Sequence, residues 1–375
     1  MDRIITLTII FLVIATSAHA DHPVPAIPFA PRAYVCPRVE TAPTIDGRLD
    51  DMAWQSVPPT TAFVDIRGAG EPDPRYVTTA RMAWDDSCLY LAAELQEPHV
   101  WGTLTRRDAV IYHDNDFEVF IDPDGDNHQY YELEINALGT EWDLLLVRPY
   151  RDGGPAINAW DITGLRTAVL VDGTVNDPSD RDGGWSVEIA IPWTVLAEAA
   201  GRPAPPADGD IWRLNFSRVQ WRTRIVDGRY DKIPDLPEDN WVWSPQGLVA
   251  MHYPEMWGQV LFVDTMPSDP AARLREAPEA EAIRTAHCLM AVYHRQRQHR
   301  DSSGAFAATL EELGFAPDNL PVAVDPAGGP PRSVPLPHGW RLDMSAGDDQ
   351  FLARLVTPEL VVTVDHEGRL LRSTP

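Results

Sequence analysis

Residues 113–144 read HDNDFEVFIDPDGDNHQYYELEINALGTEWDL, and the fold follows from their alternation. Phe117, Val119 and Ile121 alternate with Asp116, Glu118 and Phe120, the period of two expected of a strand with one buried face. Tyr131, Leu133, Ile135 and Ala137 then alternate with Tyr130, Glu132, Glu134 and Asn136, so the two stretches can pair without breaking the pattern. Between them, residues 122–128 are rich in Asp, Gly and Asn, which favour turns. The polar faces gather carboxylates, a cost that cations, hydrogen-bond donors or water must offset.

The same pattern extends in both directions. In GWSVEIAIPWTVL, Trp185, Val187, Ile189, Ile191 and Trp193 share one face, as expected of a core strand. In IWRLNFSRV, Trp212, Leu214, Phe216 and Arg218 oppose Arg213, Asn215 and Ser217. VTTARMAWDDSCLYLAAEL reads as two strands joined at Asp85-Asp86-Ser87, and PTIDGRLDDMAW as an Asp-Gly turn followed by a helical turn. Short strands, frequent turns and 13 Trp predict an all-β fold, a two-sheet antiparallel β-sandwich over residues 42–265. A Pro-rich arm, residues 21–41, precedes it. Residues 266–375 read as a linker and a small α+β region. There Ile283, Ala286, Met290 and Tyr293 recur at helical spacing within 276–298, Leu310 to Leu313 form a short second helical turn, and 351–356 pairs with 360–365 as a closing hairpin or small sheet.

The first twenty of the 375 residues have one Arg, an apolar run from Ile4 to Ile14 and a small-residue site at Ala18-His19-Ala20, the form of a secretory signal peptide. An exported, periplasmic or extracellular protein is expected. With 31 basic and 56 acidic side chains the formal net charge is −25, which disfavours nucleic acid and anionic membranes as partners. Cys36, Cys88 and Cys288 are too widely spaced for a metal knuckle; a Cys36–Cys88 disulfide and free buried thiols both remain open.

Several chemistries fit the acidic stretch. Asp122, Asp124 and Asp126, at two-residue spacing, resemble the opening of a calcium loop, although the Gly and Glu positions of an EF-hand are missing; a solvated Asp-rich turn is the alternative. Glu132 and Glu134 lie roughly 6.6 Å apart along a strand, a spacing compatible with glycoside hydrolysis. His252 beside Met251 raises haem ligation, but adjacent strand residues point to opposite faces, and no organic cofactor is expected. Saccharide recognition needs flat aromatic surfaces, which Tyr112, Trp101, Trp241 and Trp243 could offer, and directional polar groups, for which Glu118, Glu134, Asn136, Arg213 and Asn215 are candidates. Trp185, Trp193 and Trp212 read as core.

IDGRLDDMAW, DNDFEVFID, QYYELEINALG, GWSVEIAIPW, WRLNFSR and MHYPEMWGQVLF, in that order, resemble the carbohydrate-binding module family 9-like domain, over about residues 42–263. The resemblance implies an exported, non-catalytic β-sandwich that binds neutral mono-, oligo- or polysaccharides of glucan or xylan type in carbohydrate catabolism, with structural calcium. It implies a sugar held between two aromatic rings, one falling on Tyr112 and the other near Met251, with Trp241, Trp243 and Tyr253 as neighbours. It places the hydrogen-bonding Glu at Glu118 and the amide at Asn136. An Arg of the family falls on Glu134.

Overall fold

The stretch that alternates at residues 116–136 forms the middle of the largest sheet. The computed structural model describes residues 22–316, 318–327 and 329–375; the expected signal peptide lies outside them. The strands are β1 (Ala33–Pro37), β2 (Val64–Asp65), β3 (Thr78–Trp84), β4 (Cys88–Gln96), β5 (Asp116–Asp122), β6 (Tyr130–Asn136) and β7 (Glu141–Leu146). There follow β8 (Ala156–Ile157), β9 (Arg166–Asp172), β10 (Gly184–Pro192), β11 (Ile211–Gln220), β12 (Thr223–Val226), β13 (Arg229–Lys232), β14 (Asp239–Val242) and β15 (Gly258–Val263).

A nine-stranded sheet runs β1-β15-β11-β5-β6-β7-β8, with β14 attached to β11 and β2 to β14; a four-stranded sheet runs β3-β4-β10-β9. Their inner faces share one core. Phe117, Val119, Ile121, Leu133 and Ile135 come from the first sheet, Leu89, Leu91, Val187, Ile189 and Ile191 from the second, and Trp185, Trp193 and Trp212 lie among them. These are the faces that the period of two assigned to the interior. The all-antiparallel expectation is corrected at one edge, where β1 pairs with β15 in parallel, Tyr34 opposite Val260. The first and last strands of this layer have no hairpin between them, so nothing forces them antiparallel.

Two buried charges anchor the core. Glu188 on β10 accepts from the backbone N–H of Asp46 (2.9 Å) and Gly47 (2.7 Å) and from Trp54 Nε1 (2.6 Å), which fixes the IDGRLDDMAW turn on the small sheet. Gly47 sits at φ +86° with Leu170 N only 2.8 Å from where a Cβ would lie, so the turn requires glycine. Arg218 on β11 donates to Glu97 Oε2 (2.8 Å) and Thr78 Oγ1 (2.9 Å), with the Trp241 ring 5.3 Å from its guanidinium carbon.

In the C-terminal region the helix spans Pro278–Ser303, with Glu279 and Glu281 in its first turn and Gly304 closing it at φ 84°. Ile283, Ala286, Met290 and Tyr293 are buried, as their spacing predicts. The expected hairpin forms as two middle strands of a four-stranded sheet: β16 (Asn319–Ala323) and β17 (Arg332–Pro335) pair separately, while β18 (Arg341–Ala346), β19 (Phe351–Val356), β20 (Val361–Asp365) and β21 (Leu370–Ser373) lie in sequence order. Residues 310–313 make a single turn, Leu313 N donating to Leu310 O, rather than a helix. The region is tied to the large sheet by charge: Glu255 pairs with Arg151 at 2.8 Å and His294 at 3.3 Å, and Tyr293 donates to Asp152 at 2.6 Å. The three cysteines are unpaired, Cys36 and Cys88 buried. Among the described residues no helix is long and apolar enough to cross a membrane.

Candidate functional site

The outer face of the nine-stranded sheet carries the carboxylates. Register places Glu118 on β5 directly opposite Glu134 on β6 and Ser217 on β11, while Glu134 faces Trp142 on β7; Phe120 is opposite Glu132. Like charges directly across a strand pair destabilise a sheet unless something compensates them. This face is not open to solvent as a simple half-buried sheet would be. Asp116, Glu118, Glu132 and Glu134 are all buried, because the chain from β14 to β15 folds across them.

Over these strands lies a cavity of about 410 Å³. Glu118, Phe120, Glu132 and Glu134 supply its sheet side, Tyr112, Trp142 and Tyr150 supply rings, and Glu238, Asn240, Met251 and His252 close it from the other side. Tyr112 is 38% exposed and Tyr150 51%, so two aromatic surfaces face solvent at the opening. Tyr112 sits in a single 3-10 turn, Ile111–His113. That turn is held because Tyr112 N donates to Glu134 Oε2 (2.9 Å) and Trp221 Nε1 donates to Tyr112 O (2.8 Å). Tyr150 meets His252 edge-on with ring centroids 4.4 Å apart, and His252 Nδ1 lies 2.9 Å from the Tyr130 hydroxyl.

Burial sets the protonation of this pocket. It pushes the Glu118 carboxyl up to about 7, against a lowering hydrogen bond from Ser217. Asp116, Glu132 and Glu134 are held well above the usual carboxylate range, first by burial and next by repulsion from Glu118. Burial, then the Arg151 charge, drives His252 down to about 3, so it is a neutral imidazole. Asp116 Oδ1 accepts from Val219 N at 3.1 Å, while its Oδ2 is buried without a hydrogen-bond partner.

Of the residues singled out in the sequence, the pocket brings together Tyr112, Glu118 and Glu134, along with Glu132 and Met251. The others are placed elsewhere. Trp241 and Trp243 belong to the shared core, Trp241 edge-on to Tyr76 (6.1 Å) and Trp243 tilted against Phe216 (5.9 Å), because β14 continues the sheet and turns them inward. Asn136 donates to Leu104 O and Asp114 Oδ2, and Asn215 to Ser244 O, so both amides serve loop anchoring. Trp101 is buried near Lys232, and Tyr253 lies under Arg151 at 4.2 Å with its hydroxyl on Pro23 O. Arg213 points to the turn after β5, where it donates to Asn127 Oδ1 at 2.6 Å. Trp142, Tyr150, Glu238 and Asn240 were not anticipated, and His252 was singled out only for haem ligation. Trp142 was readable once β6 and β7 were paired, as it falls across from Glu134; Asn240 comes from β14 and the rest from distant loops, with no local signal.

Asp122, Asp124 and Asp126 do come within 4.8 Å of one another. Their oxygens are already engaged. Asp122 accepts from Gly125 N (3.0 Å) and Asn127 N (3.1 Å), and Asp126 from His128 N (2.7 Å). Arg213 lies 3.6 Å from Asp122, and Arg369 Nε donates to Asp126 Oδ2 at 2.8 Å. Two guanidinium groups thus supply positive charge beside the cluster that a hard cation would otherwise bring.

Residues 45–208 match the family described as Carbohydrate family 9 binding domain-like, a range that runs from β2 to β10 and includes β5 and β6. This stretch is therefore a carbohydrate-binding family 9-like domain. It is 26% identical over 169 residues to endo-1,4-beta-xylanase A of Thermoanaerobacterium saccharolyticum and 27% identical over 164 residues to exoglucanase XynX of Acetivibrio thermocellus. These matches take in 45% and 44% of this chain but only 12% and 13% of those relatives. Among solved structures, a family 9 module from Caldicellulosiruptor kristjanssonii in complex with cellotriose aligns at 17% identity and TM-score 0.41, over 64% of this chain and all of that one. A putative carbohydrate-binding protein from Bacteroides uniformis aligns at 18% identity and TM-score 0.45, over 62% of this chain and all of that one.

Proposed function

We propose that this is an exported, non-catalytic saccharide-binding protein whose site is the cavity over β5, β6 and β7. The observation that carries the reading is the combination of Tyr112, Trp142 and Tyr150 with buried carboxylate and amide acceptors around one 410 Å³ space in a family 9-like domain. A pyranose ring presents a C–H face, which packs on an aromatic ring, and a rim of hydroxyls, which need directional partners. Glu118, Glu132, Glu134 and Asn240 supply those partners. Export rests on the signal-peptide pattern at residues 1–20, and a role in polysaccharide catabolism on the matched relatives being named for a xylanase and an exoglucanase. Residues 42–265 act as the binding domain, with the arm and the C-terminal region packed around it.

The test is calorimetric titration with a panel of mono- and oligosaccharides, neutral and aminated. Trp142→Ala and Tyr112→Ala are each expected to weaken binding at least tenfold, about 1.4 kcal/mol, without loss of fold. Absence of binding to every saccharide, or unchanged affinity in both variants, would contradict the reading.

A further inference from the structure

We propose that this pocket selects saccharides carrying a protonated amine over neutral sugars of the same shape, with the ammonium group held by Asp116, Glu118 and Glu134. The inference rests on the saccharide site proposed above and narrows its ligand from the neutral glycans that the sequence predicts.

Charge is the first observation. Glu118, Glu132, Glu134 and Glu238 line the cavity, and no Lys or Arg does. Lys232, the basic group whose charge is felt by Glu238 and Asp116, is stacked on the Trp221 ring at 3.5 Å instead. A neutral hydroxyl entering this space donates one hydrogen bond but brings no charge to set against the burial and mutual repulsion that raise these carboxyls. An ammonium donates and neutralises together.

Geometry is the second. One carboxylate oxygen from each of Asp116, Glu118 and Glu134 lies within 4.8 Å of the other two. A nitrogen among three oxygens no more than 4.8 Å apart can lie within about 2.8 Å of each, inside the reach of a charge-assisted N–H···O bond. An ammonium nitrogen has three such donors when attached to one carbon. Three acceptors therefore meet three donors. The orphaned atom is the third observation: Asp116 is fully buried, yet its Oδ2 has no partner, and buried polar groups are normally satisfied. The rings of Tyr112 and Trp142 line the cavity with Glu118 and Glu134, placed to receive the sugar body while its amine reaches toward Asp116 behind them.

Isothermal titration of the full chain in EDTA and 0.15 M salt with glucosamine, glucose and N-acetylglucosamine, and with their β-1,4-linked trimers, decides the matter. Amine-bearing ligands should bind at least tenfold tighter than both neutral series, and Glu134→Gln should reduce that preference below threefold. Glu238→Gln, a half-buried position whose change leaves the core alone, should reduce it measurably as well. Equal affinities, a preference for neutral sugars, a preference that survives both variants, or binding that returns only when calcium replaces EDTA would each overturn the inference while leaving a saccharide site standing. Failure of every sugar to bind would remove the inference together with the reading beneath it.

Discussion

Two acidic regions lie at the two ends of the same strand, and they are treated in opposite ways. At the C-terminal end of β5, Asp122, Asp124 and Asp126 meet backbone N–H groups and the guanidinium groups of Arg213 and Arg369. Toward its start, Glu118 stands opposite Glu134 with Asp116 and Glu132 nearby, and no Lys or Arg lines the cavity over them. The first cluster is part of the scaffold: it joins the turn to the C-terminal region, where Leu370 N also donates to Asp126 O at 2.9 Å. The second stores repulsion in a cavity with an opening. Uncompensated buried carboxylates are costly to a fold, and such costs concentrate where a ligand repays them.

The contrast can be broken from either side. The largest effect is expected from Arg213→Ala, which leaves Asp122 buried without its cation. Removing one member of a buried pair costs about 3–5 kcal/mol, to be read from chemical denaturation; a loss under 1 kcal/mol would mean that the turn's backbone donors alone hold the charge. Glu118→Gln should act in the reverse sense, raising stability at pH 8 by about 1–3 kcal/mol because a carboxyl lifted to about 7 by burial no longer has to ionise, while saccharide affinity falls at least tenfold.

The sign of the pH dependence follows from the same group. Glu118 has a folded value raised above its ordinary 4.5, so its contribution is fully present below about 4.5 and lost as pH rises through about 7. Asp116, Glu132 and Glu134, also raised, push in the same direction, as does Asp124, raised from 3.8 to about 6 by burial and then by Asp126. The ligand-free protein should melt at a higher temperature at pH 5 than at pH 8, and Glu118→Gln should flatten the difference; scanning calorimetry at the two pH values checks both. The smallest effect belongs to Arg369→Gln. That side chain is 41% exposed in its pair with Asp126, and surface pairs contribute about 0–1 kcal/mol.

What could be read in the sequence was whatever is encoded at period two or 3.6. Phe117, Val119 and Ile121, the Trp185 to Trp193 strand and the helical face from Ile283 to Tyr293 all lie where their spacing puts them. The site was only half legible. Tyr112, Glu118 and Glu134 are neighbours through one turn and one strand pairing, which alternation predicts. Tyr150, Glu238 and His252 reach the pocket through loop paths that no periodicity encodes, and Asn240 through the distant pairing of β14 with β11. Trp241 and Trp243 were misjudged as candidate binding rings because flanking Pro and Gly signal a loop, whereas β14 adds to the sheet and packs both rings into the core. The aspartate turn left calcium and a solvated turn both open in the sequence because the arginines beside it are distant, Arg369 being 243 residues from Asp126.

The most direct test is a crystal structure of the protein soaked with a saccharide that binds it in solution. The sugar ring is predicted between Tyr112, Trp142 and Tyr150, with polar contacts to Glu118 and Glu134. A sugar found at the Asp122 to Asp126 turn, or anywhere else while this pocket stays empty, would contradict the assignment of the uncompensated cluster as the binding site.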